Sequence, residues 1–297
     1  MRLIRDTTEP FSSDKKYIFG YHPHAIIPLA GGWCSHTSQW ESQMPGVRPS
    51  VLTSSILHNI PIARDVIQFT GGRDVSRSSF KNAVQTVGSV LLIPGGQREM
   101  IGSSSKSLEI RIDVKHKGFV RLGIEMGASL VPVFNFGGNR TFDNLPFPES
   151  WQRWCMKALR ANILFLPYGN WVFVPRTGPL TIVIGKPILK HVVTPTEEQV
   201  DLVHRRYYTI LHEMFEKYKD DAGFSTSKMI FSGGKEPFKM ITESEFNKSW
   251  TLACERAKSV EPSVRKRRTR KPFMSETFMA TTIVMLLFVA SLLLTYE

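Results

Sequence analysis

Only three cysteines occur in the 297 residues, Cys34, Cys155 and Cys254, and none belongs to a CxxC or CxxH pair. A disulfide scaffold and a zinc module are therefore disfavoured, and the thiols read as reduced groups in a cytosol-facing protein. The chain also lacks a GxxxxGK[ST] loop and a GxGxxG turn, so nucleotide hydrolysis and dinucleotide binding are not supported. There is no GxSxG elbow, which disfavours a serine hydrolase. No internal repeat is evident. The opening Met1-Arg2-Leu3-Ile4-Arg5-Asp6 has no apolar core and is not expected to act as a signal peptide. Disorder is excluded by a 42% apolar content with 19 Phe.

What is abundant is positive charge: 38 Lys and Arg against 26 Asp and Glu give a formal net charge of +12. Six of those cations fall in the run Arg265-Lys266-Arg267-Arg268-Thr269-Arg270-Lys271. No aromatic is interleaved with them, so a base-stacking platform is not implied. Just beyond lies Thr277–Tyr296, a stretch of 20 residues without a charge. As a helix it spans about 30 Å, the thickness of a bilayer core. A transmembrane anchor at 277–296 is expected, with the basic run on anionic cytoplasmic headgroups and nucleic acid not a partner. The expected organisation is a polar lead at 1–16, a main domain at 17–231, a polar and basic linker at 232–276, and the anchor.

In the main domain, short apolar runs alternate with helical patterns. Residues 17–21, 87–93, 130–134 and 180–184 read as strands; Phe119–Met126, stopped by Gly127, and Glu197–Lys219 read as helices. That alternation predicts an α/β fold with a mostly parallel sheet, its chemistry in loops at the carboxyl ends of strands.

Three loops carry candidate chemistry. His22-Pro23-His24-Ala25 ends the first strand, and histidine suits proton transfer near neutral pH. Two structurally hydrogen-bonded turn histidines are the competing reading. A metal site needs a third ligand, and His36, His58 and His116 stand at no spacing that demands one. Pro94-Gly95-Gly96-Gln97-Arg98-Glu99 follows the second strand. Its glycines allow backbone N–H groups to approach a substrate oxygen, Arg98 can meet a phosphate, and Glu99 can orient a histidine. Lys115-His116-Lys117-Gly118-Phe119, with Arg121, reads either as a solvated helix start or as a cradle for an anionic cofactor. Further on, Trp151, Trp154, Phe165, Tyr168, Trp171 and Phe173 cluster among Arg153, Lys157 and Arg160. They suit a membrane-interfacial face or an aromatic core equally well.

Residues 17–24, Tyr-Ile-Phe-Gly-Tyr-His-Pro-His, resemble the paired-histidine segment of the type-2 diacylglycerol acyltransferase family, whose members include monoacylglycerol acyltransferases and wax synthases. Ile93-Pro94-Gly95-Gly96 with Glu99 is similar to its PGGxxE block, and Lys117-Gly118-Phe119 to its RKGF block. Residues 130–139 resemble its LVPVxxFGEN block, and Ile184-Gly185-Lys186-Pro187-Ile188 its GxPI block, all in order over 17–220. Ala25 stands where the family has Gly, and Gly138 where it has an acidic residue. A more distant similarity is to glycerophosphate acyltransferases, but Ile27 and Leu29 stand where their His-x4-Asp pair would place an Asp.

The resemblance implies a glycerophosphate-acyltransferase-like α/β domain that transfers an acyl group from acyl-CoA to diacylglycerol. Implied alternatives are a monoacylglycerol, fatty-alcohol or sterol acceptor, or a catalytically inactive membrane-bound relative. It further implies His24 as general base with His22 positioning or substituting for it, Glu99 as the orienting carboxylate, and Gly95 and Gly96 as oxyanion donors. Arg98, Lys117 and Gly118 are the acyl-CoA-binding residues on this reading. No metal and no cofactor beyond acyl-CoA as co-substrate are expected. Membrane lipids are expected partners at the endoplasmic reticulum or lipid droplets, and homo-oligomerisation is left open.

Overall fold

A computed structural model describes residues 1–59, 63–101, 103–145, 147–158, 166–172, 174–234 and 236–259. The strands are β1 (Arg2–Arg5), β2 (Tyr17–His22), β3 (Ser50–Thr53), β4 (Arg73–Asp74), β5 (Ser89–Leu92), β6 (Glu109–Asp113), β7 (Ser129–Phe136), β8 (Asp143–Asn144), β9 (Pro167–Tyr168), β10 (Thr181–Ile184) and β11 (Lys228–Ser232). The helices are α1 (Leu29–Trp33), α2 (Ser38–Gln43), α3 (Ala63–Phe69), α4 (Arg77–Thr86), α5 (Gln97–Met100), α6 (Gly118–Met126), α7 (Glu149–Ala158), α8 (Glu197–Tyr218) and α9 (Glu243–Ser259).

Seven strands form one sheet in the order β1-β10-β7-β2-β5-β3-β4. From β7 to β4 every pairing is parallel; β10 runs antiparallel to β7, and β1 parallel to β10. The fold is thus α/β with a mostly parallel sheet, as the alternating pattern predicts. After β5 the chain crosses to the far side of β2 to build β7, so β2 lies where the winding changes direction. A crevice at the carboxyl ends of the strands belongs there.

The central strands are buried along their whole length, which explains their unbroken apolar runs. Their side chains alternate between two cores. Ile18, Val90, Leu130 and Phe134 pack with α6 and α8, whereas Tyr17, Phe19, Tyr21, Val131 and Val133 pack with Trp40 of α2. Trp40 is fully buried and donates its indole N–H to the Val47 carbonyl at 2.7 Å. Emptying that site costs about 3–5 kcal/mol. Helix α8 begins with a reciprocal capping box between Thr196 and Gln199, and α6 stops at Gly127 in the left-handed region (φ 61°).

Residues expected to form a polar lead supply the edge strand β1, and Asp6 behind it accepts hydrogen bonds from Lys217 and Tyr218 of α8. Within the expected linker, α9 packs Phe246 and Ala253 into the α8 core. The stretch 277–296 and the basic run 265–271 lie outside the described residues. Among the described residues, no helix is long and apolar enough to cross a membrane.

Candidate functional site

The carboxyl end of β2 divides its chemistry between the two faces of the sheet. His22 points towards α8 and is fully buried. Tyr207 donates its hydroxyl to the Gly20 carbonyl at 3.0 Å and takes Nε2 of His22 at 3.1 Å. Gly20 makes this possible, since a Cβ there would lie 2.0 Å from the Tyr207 oxygen. Nδ1 of His22 lies 3.7 Å from Glu99 Oε1, beyond hydrogen-bond range but close enough for charge to be felt.

Glu99 is buried beneath the loop and is shared. Its Oε2 accepts the His24 backbone N–H at 2.8 Å and its Oε1 the Asp113 backbone N–H at 2.9 Å. It therefore fixes the main chain of the histidine loop. The His24 ring is oriented by its own neighbour: Nδ1 lies 3.0 Å from the Ala25 carbonyl. A carbonyl only accepts, so Nδ1 carries the proton and Nε2 presents the lone pair that a general base needs. Burial lowers the His24 pKa below its ordinary value, against smaller opposing effects from the Ala25 carbonyl and Glu99. Ala25 carries out the turn that a glycine would make, at φ 57°.

His24 borders a cleft of about 250 Å³ whose walls include Tyr21, Leu29, Asn135, Thr141 and Arg176. His22, Gly95, Gly96, Arg98, Lys117 and Gly118 do not border it. The glycine pair packs against Glu99 instead: a Cβ at Gly95 would lie 1.9 Å from the Glu99 carboxyl carbon. The Gly96 N–H is already spent in a turn, donating to the Ile93 carbonyl at 3.2 Å. Arg98, exposed, lies 3.7 Å from the buried Asp113, and Lys117 pairs with Asp201 at 2.7 Å on exposed side chains. Gly118 opens α6 beside Lys117. Among the described residues no three His, Cys, Asp or Glu side chains come together as a metal cluster.

Several residues at the site carry no motif signal. Arg176 lines the cleft and binds Asp143 at 2.8 Å. Burial works to raise the Asp143 pKa, but the Ser105 N–H and hydroxyl and Arg176 hold it below the ordinary value. Tyr21 and Asn135 reach the cleft because strand parity puts them there: Tyr21 pairs with Val133 on β7, and Asn135 is the next residue on the same face. That parity can be read from the sequence once His22 is assigned to the opposite face. Of the aromatic cluster, Trp151, Trp154 and Trp171 are 62%, 65% and 77% exposed, while Phe165, Phe173 and Arg160 lie outside the described residues.

A histidine loop thus stands at the switch point of a mostly parallel α/β sheet, with His24 bordering a cleft. The family model for diacylglycerol acyltransferase matches residues 1–232, and the chain belongs to the diacylglycerol acyltransferase family. Human "Diacylglycerol O-acyltransferase 2" is 31% identical over 244 residues, covering 75% of this chain and 62% of that protein. The chain thus spans less than two thirds of that relative's length. The Xenopus tropicalis protein of the same name is 31% identical over 252 residues, covering 77% of this chain and 68% of the relative. Human "2-acylglycerol O-acyltransferase 3" is 33% identical over 248 residues, covering 77% and 72%. No solved structure matches.

Proposed function

We propose that this chain transfers an acyl group from acyl-CoA to the free hydroxyl of diacylglycerol. The observation that carries this reading is the His24 ring, held at Nδ1 by the Ala25 carbonyl and bordering the cleft, in a chain of this family. Nε2 of His24 takes the hydroxyl proton as the alcohol oxygen bonds to the thioester carbonyl carbon. The tetrahedral intermediate collapses with cleavage of the C–S bond. The proton on the imidazolium passes to the departing sulfur, giving ester and CoA thiol. His22 and Glu99 are positioning residues that fix the loop from behind. Arg98 and Lys117, both partly exposed, exchange their carboxylate partners for CoA phosphates.

The cleft is smaller than the ~300–1,000 Å³ common for ligand sites. It suits the reacting groups, with the acyl chains running out over the surface. A bilayer supplies that surface, and the exposed Trp151, Trp154 and Trp171 support an interfacial setting on an intracellular membrane. Likeness to a protein named as a 2-acylglycerol acyltransferase favours monoacylglycerol as the second acceptor to test.

The experiment uses microsomes from cells without their own triacylglycerol synthesis, expressing the chain or His24→Ala and given labelled long-chain acyl-CoA. Label in triacylglycerol from the parent chain, lost in His24→Ala, is the expected result. Label in diacylglycerol moves the acceptor to monoacylglycerol. Near-normal turnover by a folded His24→Ala protein ends the role of His24 as base.

A further inference from the structure

Two polar groups at the cleft are only partly matched within the fold. The Tyr21 hydroxyl and the Asn135 Oδ1 are both buried, in residues that are 1% and 3% exposed; the Asn135 amide N–H faces the phenol oxygen, which leaves the phenol proton without an acceptor and the Oδ1 without a donor. Buried polar groups are nearly always satisfied, and each orphan destabilises the fold that keeps it. Both residues border the same cleft as His24. Neighbouring strands project them on one face, and Gly31 of α1 closes over the Tyr21 ring with no room for a side chain beyond light contact. The ring is therefore fixed in place, with its hydroxyl left over. Cost without an internal partner points to a partner that arrives from outside.

We propose that Tyr21 is the donor that receives the thioester carbonyl oxygen, and that Asn135 Oδ1 accepts the hydroxyl of the incoming alcohol. This rests on the acyl-transfer reading above. The Tyr21 hydroxyl keeps its proton throughout and donates a hydrogen bond that shortens as the carbonyl oxygen becomes an oxyanion. No electron pair or proton changes hands at Tyr21. Burial, with the Cys34 thiol adding to it and the Asn135 amide opposing, holds the phenol well above its ordinary pKa, so it stays a donor across the working range. Asn135 holds the alcohol before His24 removes its proton. The glycine loop, whose Gly96 N–H is spent on Ile93, is left to shape Glu99.

The test compares the full chain with Tyr21→Phe in the same membranes. Tyr21→Phe removes one oxygen and no ring volume, so it should melt at or above the parent temperature. Its kcat should fall on the order of 10²–10³-fold with little change in KM for acyl-CoA. A non-transferable ketone analogue of the acyl-CoA, in which CH2 replaces sulfur, should bind Tyr21→Phe more than tenfold more weakly than the parent. Turnover within threefold of the parent, with equal analogue affinity, overturns the proposal and leaves the acyl-transfer reading intact. A lower melting temperature with unchanged kcat makes Tyr21 merely structural and also overturns it. If the parent makes no ester, the reaction reading fails by itself, and Tyr21-dependent analogue binding still decides the carbonyl site.

Discussion

Glu99 holds His24 by its main chain, accepting the backbone N–H at 2.8 Å, while the His24 ring is steered by the carbonyl of Ala25 at 3.0 Å. The carboxylate and the imidazole are thus coupled through the peptide. A second backbone N–H, that of Asp113, occupies the other carboxylate oxygen. An amide in place of the carboxylate keeps one acceptor and turns two donors towards a backbone N–H. Glu99→Gln should therefore cost about 1–3 kcal/mol of stability, more than a surface change would. Urea unfolding at constant slope measures it, and an unshifted midpoint would remove Glu99 from its structural role.

The two loop glycines should answer differently to the same methyl group. Gly95→Ala drives a Cβ to 1.9 Å from the buried Glu99 carboxyl carbon, so Glu99 must move and release its backbone partners. Gly96→Ala meets nothing within 4 Å and is opposed only by its backbone angle, φ 52°. We expect Gly96→Ala to cost about 1–3 kcal/mol, and Gly95→Ala to cost more and to abolish turnover. Equal melting temperatures for the two variants would contradict this.

Ala25 holds a left-handed backbone (φ 57°) that costs a non-glycine residue about 1–2 kcal/mol. Glycine relieves that cost and returns about 0.5–1 kcal/mol to the unfolded chain's freedom. Ala25→Gly should raise stability by up to about 1 kcal/mol and preserve turnover, because the carbonyl that steers His24 stays in place. A fall in melting temperature would show that the methyl group is held by packing.

Burial keeps the His24 imidazole below its ordinary value of 6.5. A general base must be unprotonated, so turnover should be fully developed at pH 7 and should decline only on the acid side of 6.5. The acid limb of kcat/KM against pH measures this. A limb centred at pH 7 or above would mean that another group is titrating.

His204 on α8 gives a stability signature independent of catalysis. Burial, then the neighbouring Lys117 charge, pushes its pKa down from 6.5 to about 4, against weaker opposition from Asp201. Between those values the unfolded chain takes up a proton that the folded one refuses, so stability rises with pH. It is fully present above 6.5 and is lost as pH falls towards 4, by about 3 kcal/mol. Unfolding free energies at pH 7.5 and pH 4 should differ by that much more in the parent than in His204→Leu. Parallel losses in the two proteins would exclude it.

Much of the fold could be read from the sequence because its central strands are buried on both faces and so appear as unbroken apolar runs. Residues 17–21 and 130–134 become β2 and β7, and Glu197–Lys219 becomes α8 within one residue. Strand β1 was hidden because Arg2 and Arg5 disguise four edge residues as a polar lead, and α9 because only a few of its positions face the core. At the site, the histidine pair and Glu99 announce themselves by residue type. Spacing does not say which histidine meets the cleft; that follows from strand parity and the turn after Pro23. Tyr21 and Asn135 were silent because a tyrosine and an asparagine beside apolar residues look like ordinary strand filling.

Strand β2 separates two workshops. Its odd-numbered residues reach the cleft through Tyr21, and its even-numbered ones, Gly20 and His22, brace the sheet against Tyr207 of α8. Substitutions on opposite sides of this partition should combine nearly additively, whereas those on one side should not. Cleft residues can then be altered from the front while the brace behind is left as it is.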